Sequence, residues 1–270
     1  MITHPTFEET EQFEKQGYLQ IDSFLSPDFV ELLKSRLAVV MDRRQKNLNS
    51  HKNGRSLDNP GKRIIVDGLD RRIFHILDDD PVFLDLVDYQ GIMPYVRSFL
   101  HEKPHFHASD AIWEREQVER KPAWHIDGLD RGYRQLRPQI PLLQLKIGYL
   151  LSDMAMPDQG NLLIVPGSHL DQTEPTCEQL SGFDTFPGVK QVCGPPGTAV
   201  MFHNALWHTH GPKNLDGGQR IMLYYAYEVP WIMGNPEHWS YSTTFYNGLK
   251  GVRRELFHGF VFEPSEYRFT

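Results

Sequence analysis

His125-Ile126-Asp127 sets an imidazole and a carboxylate two residues apart, the spacing at which side chains on a strand point to one side. Joined by a second histidine, such a pair forms a 2-His-1-carboxylate triad. That triad holds Fe(II) on one face and leaves positions open for a co-substrate and O2. The spacing alone is a weak signal: the chain has 13 histidines, and a second match stands at His169-Leu170-Asp171. Context separates the two. Downstream of Asp127-Gly128, after a strand-rich stretch, come Trp207-His208-Thr209-His210-Gly211, then Arg220 at the head of Ile221-Met222-Leu223-Tyr224-Tyr225. His208, from a neighbouring strand, completes the triad. His210 lies two residues on and is the alternative, and His203 is a weaker third candidate that reads better as a strand-end or core histidine. An arginine opening a buried apolar run must be paired. A guanidinium there fits the distal carboxylate of a dicarboxylate co-substrate chelating the metal, in a bidentate pair. A surface salt bridge is the competing reading of Arg220. His105 and His107 share the same spacing, but no carboxylate follows them usefully, and they read as strand residues.

The elements that must carry these residues change character along the chain. Thr6 and Glu9 have capping-box spacing and Gly17 supplies a stop, so residues 7–16 read as a helix. Ser26-Pro27 opens a second helix, whose Phe29, Leu32, Leu33, Leu37 and Val40 form one apolar face ending near Met41. Residues 43–63, rich in Lys and Arg among Asn, Ser and Gly, read as a long exposed loop. A third helical region follows Asp78-Asp79-Asp80 with Pro81 in its first turn, and continues with a break to Leu100. From about residue 104 short apolar runs at 141–151, 162–165, 189–192, 198–202 and 221–229 alternate with Pro and Gly. The expected fold is therefore mainly β, a sandwich or barrel under a helical N-terminal layer. The organisation reads as one domain over 1–270: a helical part to about 100, a strand core at about 104–229 and a C-terminal tail at 230–270.

Composition excludes several classes. The net charge of −7 argues against nucleic acid. Cys177 and Cys193 alone make no disulfide framework and no Cys-based zinc module. No signal peptide and no run long enough to span a bilayer is visible, so a cytoplasmic location is the default and no membrane partner is expected.

Four blocks give the sequence a familiar look. They are Phe13-x-x-x-Gly17-Tyr18 with Phe24-Leu25-Ser26, Trp124-His125-Ile126-Asp127, the run Gly160-Asn161-Leu162 through Pro166-Gly167-Ser168-His169, and Leu206-Trp207-His208 with Gly211, Asn214 and Arg220. In order and spacing they resemble the phytanoyl-CoA dioxygenase family of the 2-oxoglutarate oxygenases, over roughly residues 10–230. The Pro-Gly-Ser-His ending is the most specific of the four. The resemblance implies a double-stranded β-helix (jelly roll) with flanking helices, Fe(II) on His125, Asp127 and His208, and His169 in a structural turn. It also implies 2-oxoglutarate with its distal carboxylate on Arg220, O2 as oxidant, and release of succinate.

One departure concerns register. The family places Asn five and Arg eleven residues after its distal histidine; here the counts are six and twelve from His208, four and ten from His210. The Leu-Trp-His lead-in favours His208, with a one-residue insertion near Pro212-Lys213, which sets His210 beside the co-substrate. On the strand 141–151, Lys146 and Tyr149 point to opposite faces. Tyr149 falls where some family members put an aromatic against 2-oxoglutarate; an ordinary core tyrosine and a solvated Lys146 are the alternative. Asp127 makes hydroxylation the default outcome, because halogenating relatives lack this carboxylate, although desaturation and ring closure stay open.

The substrate reads only as a small molecule. It is anionic if the basic loop covers the site, and unspecified if that loop is merely solvated. Trp231, Trp239, Tyr241 and Phe245 wall the pocket or pack on a second subunit, so that a monomer and a homodimer are both open. A cupin-type dioxygenase without 2-oxoglutarate and a non-catalytic jelly-roll binding protein are the rival readings.

Overall fold

The computed structural model describes residues 5–47, 51–52, 55–56, 64–115, 121–128, 132–171, 173–214, 218–232 and 241–257. Helix α1 (Phe7–Gln16) carries the capping box: the Thr6 hydroxyl accepts from Glu9 N at 3.1 Å, and Glu9 accepts from Thr6 N at 2.8 Å. Gly17, at φ 76°, ends the helix in the left-handed region and turns the chain into β1 (Tyr18–Ile21). Helix α2 (Pro27–Lys46) is capped by Ser26 and buries Val30, Leu33, Leu37, Val40 and Met41. It runs past the expected end because Arg44 is also buried. Arg44 donates to Phe74 O at 2.7 Å and His75 O at 2.8 Å and pairs with Asp79, so residues 43–46 are helix and not loop. Beyond it β2 (His51–Lys52) and β3 (Arg55–Ser56) pair as a small hairpin; the remainder of the basic segment lies outside the described residues.

The N-terminal part is not wholly helical. β4 (Ile64–Asp67) and β5 (Asp70–Phe74) form a hairpin ahead of the short helices α3 (Pro81–Leu84) and α4 (Met93–Phe99). Their charged residues hid the strand alternation, yet Ile64 and Ile73 are buried.

The strand region supplies β6 (His105–Glu114), β7 (Gln144–Leu150), β8 (Leu162–Ile164), β9 (Lys190–Gln191), β10 (Ala199–His203), β11 (His208–His210) and β12 (Arg220–Glu228). A seven-stranded antiparallel sheet runs β1-β10-β7-β12-β6-β5-β4, and a three-stranded sheet runs β11-β8-β9. The two faces of the large sheet differ by strand parity. Ile147, Tyr149, Leu223, Tyr225 and Tyr227 pack with the helices in the main core, whereas Leu150, Val200, Phe202 and Met222 pack with Leu162 and Ile164 of the small sheet. Two facing antiparallel sheets with helices on one outer face make a jelly roll of the expected class.

Residues 241–257 are not a tail. After α5 (Thr243–Gly248) and α6 (Gly251–Glu255) the chain buries Leu256 and Phe257 in the main core, together with Tyr241 and Tyr246. Tyr241 and Phe245 stack at 4.5 Å in that core and do not line the cavities of the site. Trp231 is 67% exposed and Trp239 lies outside the described residues. Among the described residues no helix is long and apolar enough to cross a membrane.

Candidate metal centre

The small sheet builds the centre. His125 is held beside β11 by a single antiparallel bridge to His208, with both N–H···O distances 3.0 Å. The chain then leaves the sheet: Asp127 N donates to Asn204 O at 2.8 Å, and Asp127 and Gly128 form a turn. Gly128 is required there, since a Cβ at its φ of 75° would lie 2.0 Å from the Tyr133 ring. A bridge and a turn, and not the expected strand periodicity, bring His125 and Asp127 together.

Ligand atoms of His125, Asp127 and His208 all lie within 4.8 Å of one another. Nδ1 of His125 donates to Ala123 O at 2.7 Å and Nδ1 of His208 to Leu206 O at 2.8 Å, which leaves each Nε2 lone pair turned inward. Burial, with His125 alongside, brings His208 down to about 3, and burial lowers His125 as well, so both rings are neutral at pH 7. For Asp127 burial works against ionisation. The Lys146 ammonium, which also donates to it, outweighs burial and holds the carboxyl well below the usual range, and the two imidazoles add to this only when protonated. Lys146 Nζ donates to Asp127 Oδ1 at 2.7 Å. Asp127 Oδ2 is buried without a partner and faces His208 Nε2 at 3.9 Å. With His208 neutral this is no ion pair but two acceptors aimed at each other, stable only with a cation between them. The donor set fits Fe(II), with two imidazoles and one carboxylate oxygen on one side and a cavity on the other.

Residues 13–220 match the phytanoyl-CoA dioxygenase (PhyH) family. The chain belongs to that family. As a PhyH member it is an oxidoreductase, a dioxygenase whose cofactors are iron and 2-oxoglutarate, with O2 as the oxidant. An ectoine dioxygenase of Stutzerimonas stutzeri (strain A1501) is 25% identical, over 80% of this chain and 74% of that protein. HygX from Streptomyces hygroscopicus, solved with nickel, 2-oxoglutarate and hygromycin B, superposes with a TM-score of 0.64 at 19% identity, covering 84% of this chain and 89% of its own. EctD from S. alaskensis, solved with 2-oxoglutarate and 5-hydroxyectoine, gives 0.63 at 21% identity over 85% and 78%.

In this PhyH chain His125 and His208 open on a cavity of about 290 Å³ between the sheets, and Arg220 lines the same cavity. Arg220 is 3% exposed; Nη1 donates to Glu114 Oε2 at 2.9 Å, Nη2 lies 3.4 Å from the Tyr224 hydroxyl, and Nε is buried without a partner. Glu114 in turn lies 3.9 Å from Lys213, which pairs with Asp70. A buried ion pair and a cavity-facing guanidinium are therefore both present, and the surface salt bridge is not. Gly160, at φ 78°, makes room for it: a Cβ there would meet Arg220 Cδ at 2.6 Å.

The other candidates separate cleanly. His210 lines the cavity on the same side of β11 as His208, edge-on to Phe183 at 5.9 Å. His203 is buried elsewhere: its Nδ1 accepts from Ala205 N at 2.9 Å and its ring lies 5.0 Å from His169. His169 bonds Glu14 O at 3.0 Å beneath Gly17, tying the Pro-Gly-Ser-His turn to α1. Tyr149 requires correction. It sits on the helix side of β7, against Tyr225 at 5.9 Å and Phe24 at 6.4 Å, so it cannot touch a co-substrate in the cavity. The opposite parity belongs to Lys146, which lines the cavity. A lysine inside the apolar run Leu145–Leu150 had to be paired, and that was the available signal.

Proposed function

We propose that the protein hydroxylates an unactivated C–H bond of a small-molecule substrate, placing one oxygen atom of O2 in the product and the other in succinate, with loss of CO2 from 2-oxoglutarate. His125, Asp127 and His208 hold Fe(II), Arg220 takes the distal carboxylate of 2-oxoglutarate, and His210 stands beside it. The carrying observation is the unpartnered Asp127 Oδ2 opposite His208 Nε2, with His208 and His125 lining a cavity that Arg220, whose Nε is unpartnered, also lines. Iron, when bound, supplies the O2 chemistry. The chain's own residues do the rest. Lys146 occupies one carboxylate oxygen and presents the other, Arg220 orients the co-substrate, and Phe202 and Leu162 close the cavity with apolar surface. Arg220 sharing a cavity with His125 and His208 favours this over a cupin-type reaction without 2-oxoglutarate. We read residues 1–270 as one oxygenase domain, since helices and sheet share one apolar core.

Calorimetric titration should show one Fe(II) per chain in the wild type, lost in His125→Ala, Asp127→Ala and His208→Ala. His210→Ala should keep iron and bind 2-oxoglutarate more weakly. Unchanged iron affinity in both His125→Ala and Asp127→Ala would remove the assignment.

A further inference from the structure

A second cavity of about 210 Å³ shares Arg72, Lys146 and Tyr224 with the first; Asp127 lines it, and Arg220 does not. Its floor comes from the register of the large sheet. Ala108 of β6 and Ala226 of β12 are direct cross-strand partners and both line it, whereas the pair four residues earlier on β12, Met222 and Ile112, is bulky. Two methyl groups in register leave a depression where large side chains would fill the space. Gln144, buried at the start of β7, completes the polar wall.

The charges around this depression come as a matched pair. Arg72 Nη2 donates to Asp110 Oδ2 at 2.9 Å, and the guanidinium lies over the Phe74 ring at 4.6 Å. Arg72 Nε is buried and has no partner. The guanidinium is thus held flat with an unspent donor, next to a carboxylate that has committed one oxygen. A simple anion would have to compete with Asp110, and a simple cation would be repelled by Arg72 and Lys146. A molecule carrying both charges satisfies both partners at once. The cavity is smaller than the roughly 300–1,000 Å³ of pockets for drug-sized ligands, which limits the occupant to about the size of an amino acid.

We propose that this second cavity binds the primary substrate and that the substrate is a compact zwitterion of amino-acid class, its carboxylate on Arg72 and its ammonium on Asp110. This rests on the reading of the triad and Arg220 given above. Because Asp127 is part of the lining, a molecule held there lies against the ligand set of the metal.

The test uses protein loaded anaerobically with Fe(II) and 2-oxoglutarate. The probes are a mixture of the common L-amino acids, a set of short-chain monocarboxylates and a set of primary amines. Binding is read by saturation-transfer NMR, and succinate is measured after air is admitted. One or more amino acids should show transfer and raise succinate release at least tenfold over the rate without substrate, with neither control set doing so. Ala226→Leu, which fills the depression, and Arg72→Gln should each abolish transfer while keeping the thermal stabilisation by 2-oxoglutarate. The Arg72 side chain is 43% exposed, so Arg72→Gln disturbs packing less than Ala226→Leu and serves as the second arm if the latter does not fold. No amino-acid transfer in protein that 2-oxoglutarate stabilises overturns the proposal. So does transfer that persists in both variants, or a preference for the monocarboxylates or amines. If 2-oxoglutarate fails to stabilise the wild type while amino acids bind, the site stands and the co-substrate reading falls.

Discussion

On the proposed reading Arg220 has two jobs, one in the buried ion pair and one on the co-substrate, and substituting Glu114 separates them. Its guanidinium and the Glu114 carboxylate are 3% and 9% exposed at 2.9 Å, so the pair is desolvated. Removing one partner of such a pair leaves an uncompensated buried charge, at a cost of about 3–5 kcal/mol. In Arg220→Ala that charge is Glu114, which keeps Lys213 at 3.9 Å, so the loss should fall near the lower end. In a domain this large about 3 kcal/mol corresponds to roughly 6–12 °C of Tm. The same variant forfeits the charge-assisted contact to the co-substrate, about 2–5 kcal/mol or some 30-fold or more in affinity. Glu114→Gln keeps the guanidinium and offers it an amide oxygen. Its stability cost should be about 1–3 kcal/mol. Its affinity for 2-oxoglutarate should be equal or higher, because a competing carboxylate has gone. Thermal unfolding of metal-loaded protein with and without 2-oxoglutarate reads both quantities. Two results refute the reasoning: stabilisation by 2-oxoglutarate that survives in Arg220→Ala, or Glu114→Gln weakening 2-oxoglutarate as much as Arg220→Ala does.

Two other perturbations have signs fixed by the structure. Lys146→Met strands the buried Asp127 carboxylate, costing about 3–5 kcal/mol in the metal-free protein. Iron replaces the missing cation, so iron should raise the Tm more in this variant than in the wild type; an equal deficit with and without iron contradicts that. His203 is held neutral down to about 3 by burial and by the neighbouring His169. The unfolded chain takes up that proton first, near pH 6.5, so stability is full above this value and is lost as pH falls towards 3, by up to about 1.4 kcal/mol per pH unit for the group. Urea unfolding of metal-free His203→Gln from pH 7 to 4 should show a shallower decline than the wild type, and an unchanged slope would clear His203 of the role.

Where local chemistry decides the outcome, the sequence was readable. Thr6, Glu9 and Gly17 define α1 without help from the rest of the chain, and Ser26-Pro27 starts α2 for the same reason. Where distant partners decide, it was not. Arg44 continues α2 only because Asp79 and two carbonyls wait for it, and β5 hides Ile73 among charges satisfied by Asp110 and β6. The spacing of His125 and Asp127 drew attention to two residues that the structure brings together with His208, although a bridge and a turn orient them. For Tyr149 and Lys146 the two faces of β7 were equally plausible until the sheet order showed which side the helices cover. Counting back from Gly160 could not supply that.

Among the described residues His125 meets His208 through one isolated bridge and Asp127 is held by Asn204 O, with no continuous ladder joining them to β11. On the proposed reading a bound iron acts as a covalent staple would, closing a loop of roughly 80 residues that contains β7, β8, β9 and β10, and so removing loop entropy from the unfolded chain. A metal held there would serve the architecture before any reaction began. Its loss would loosen the seam between the two sheets at the point where the proposed co-substrate and substrate sites meet.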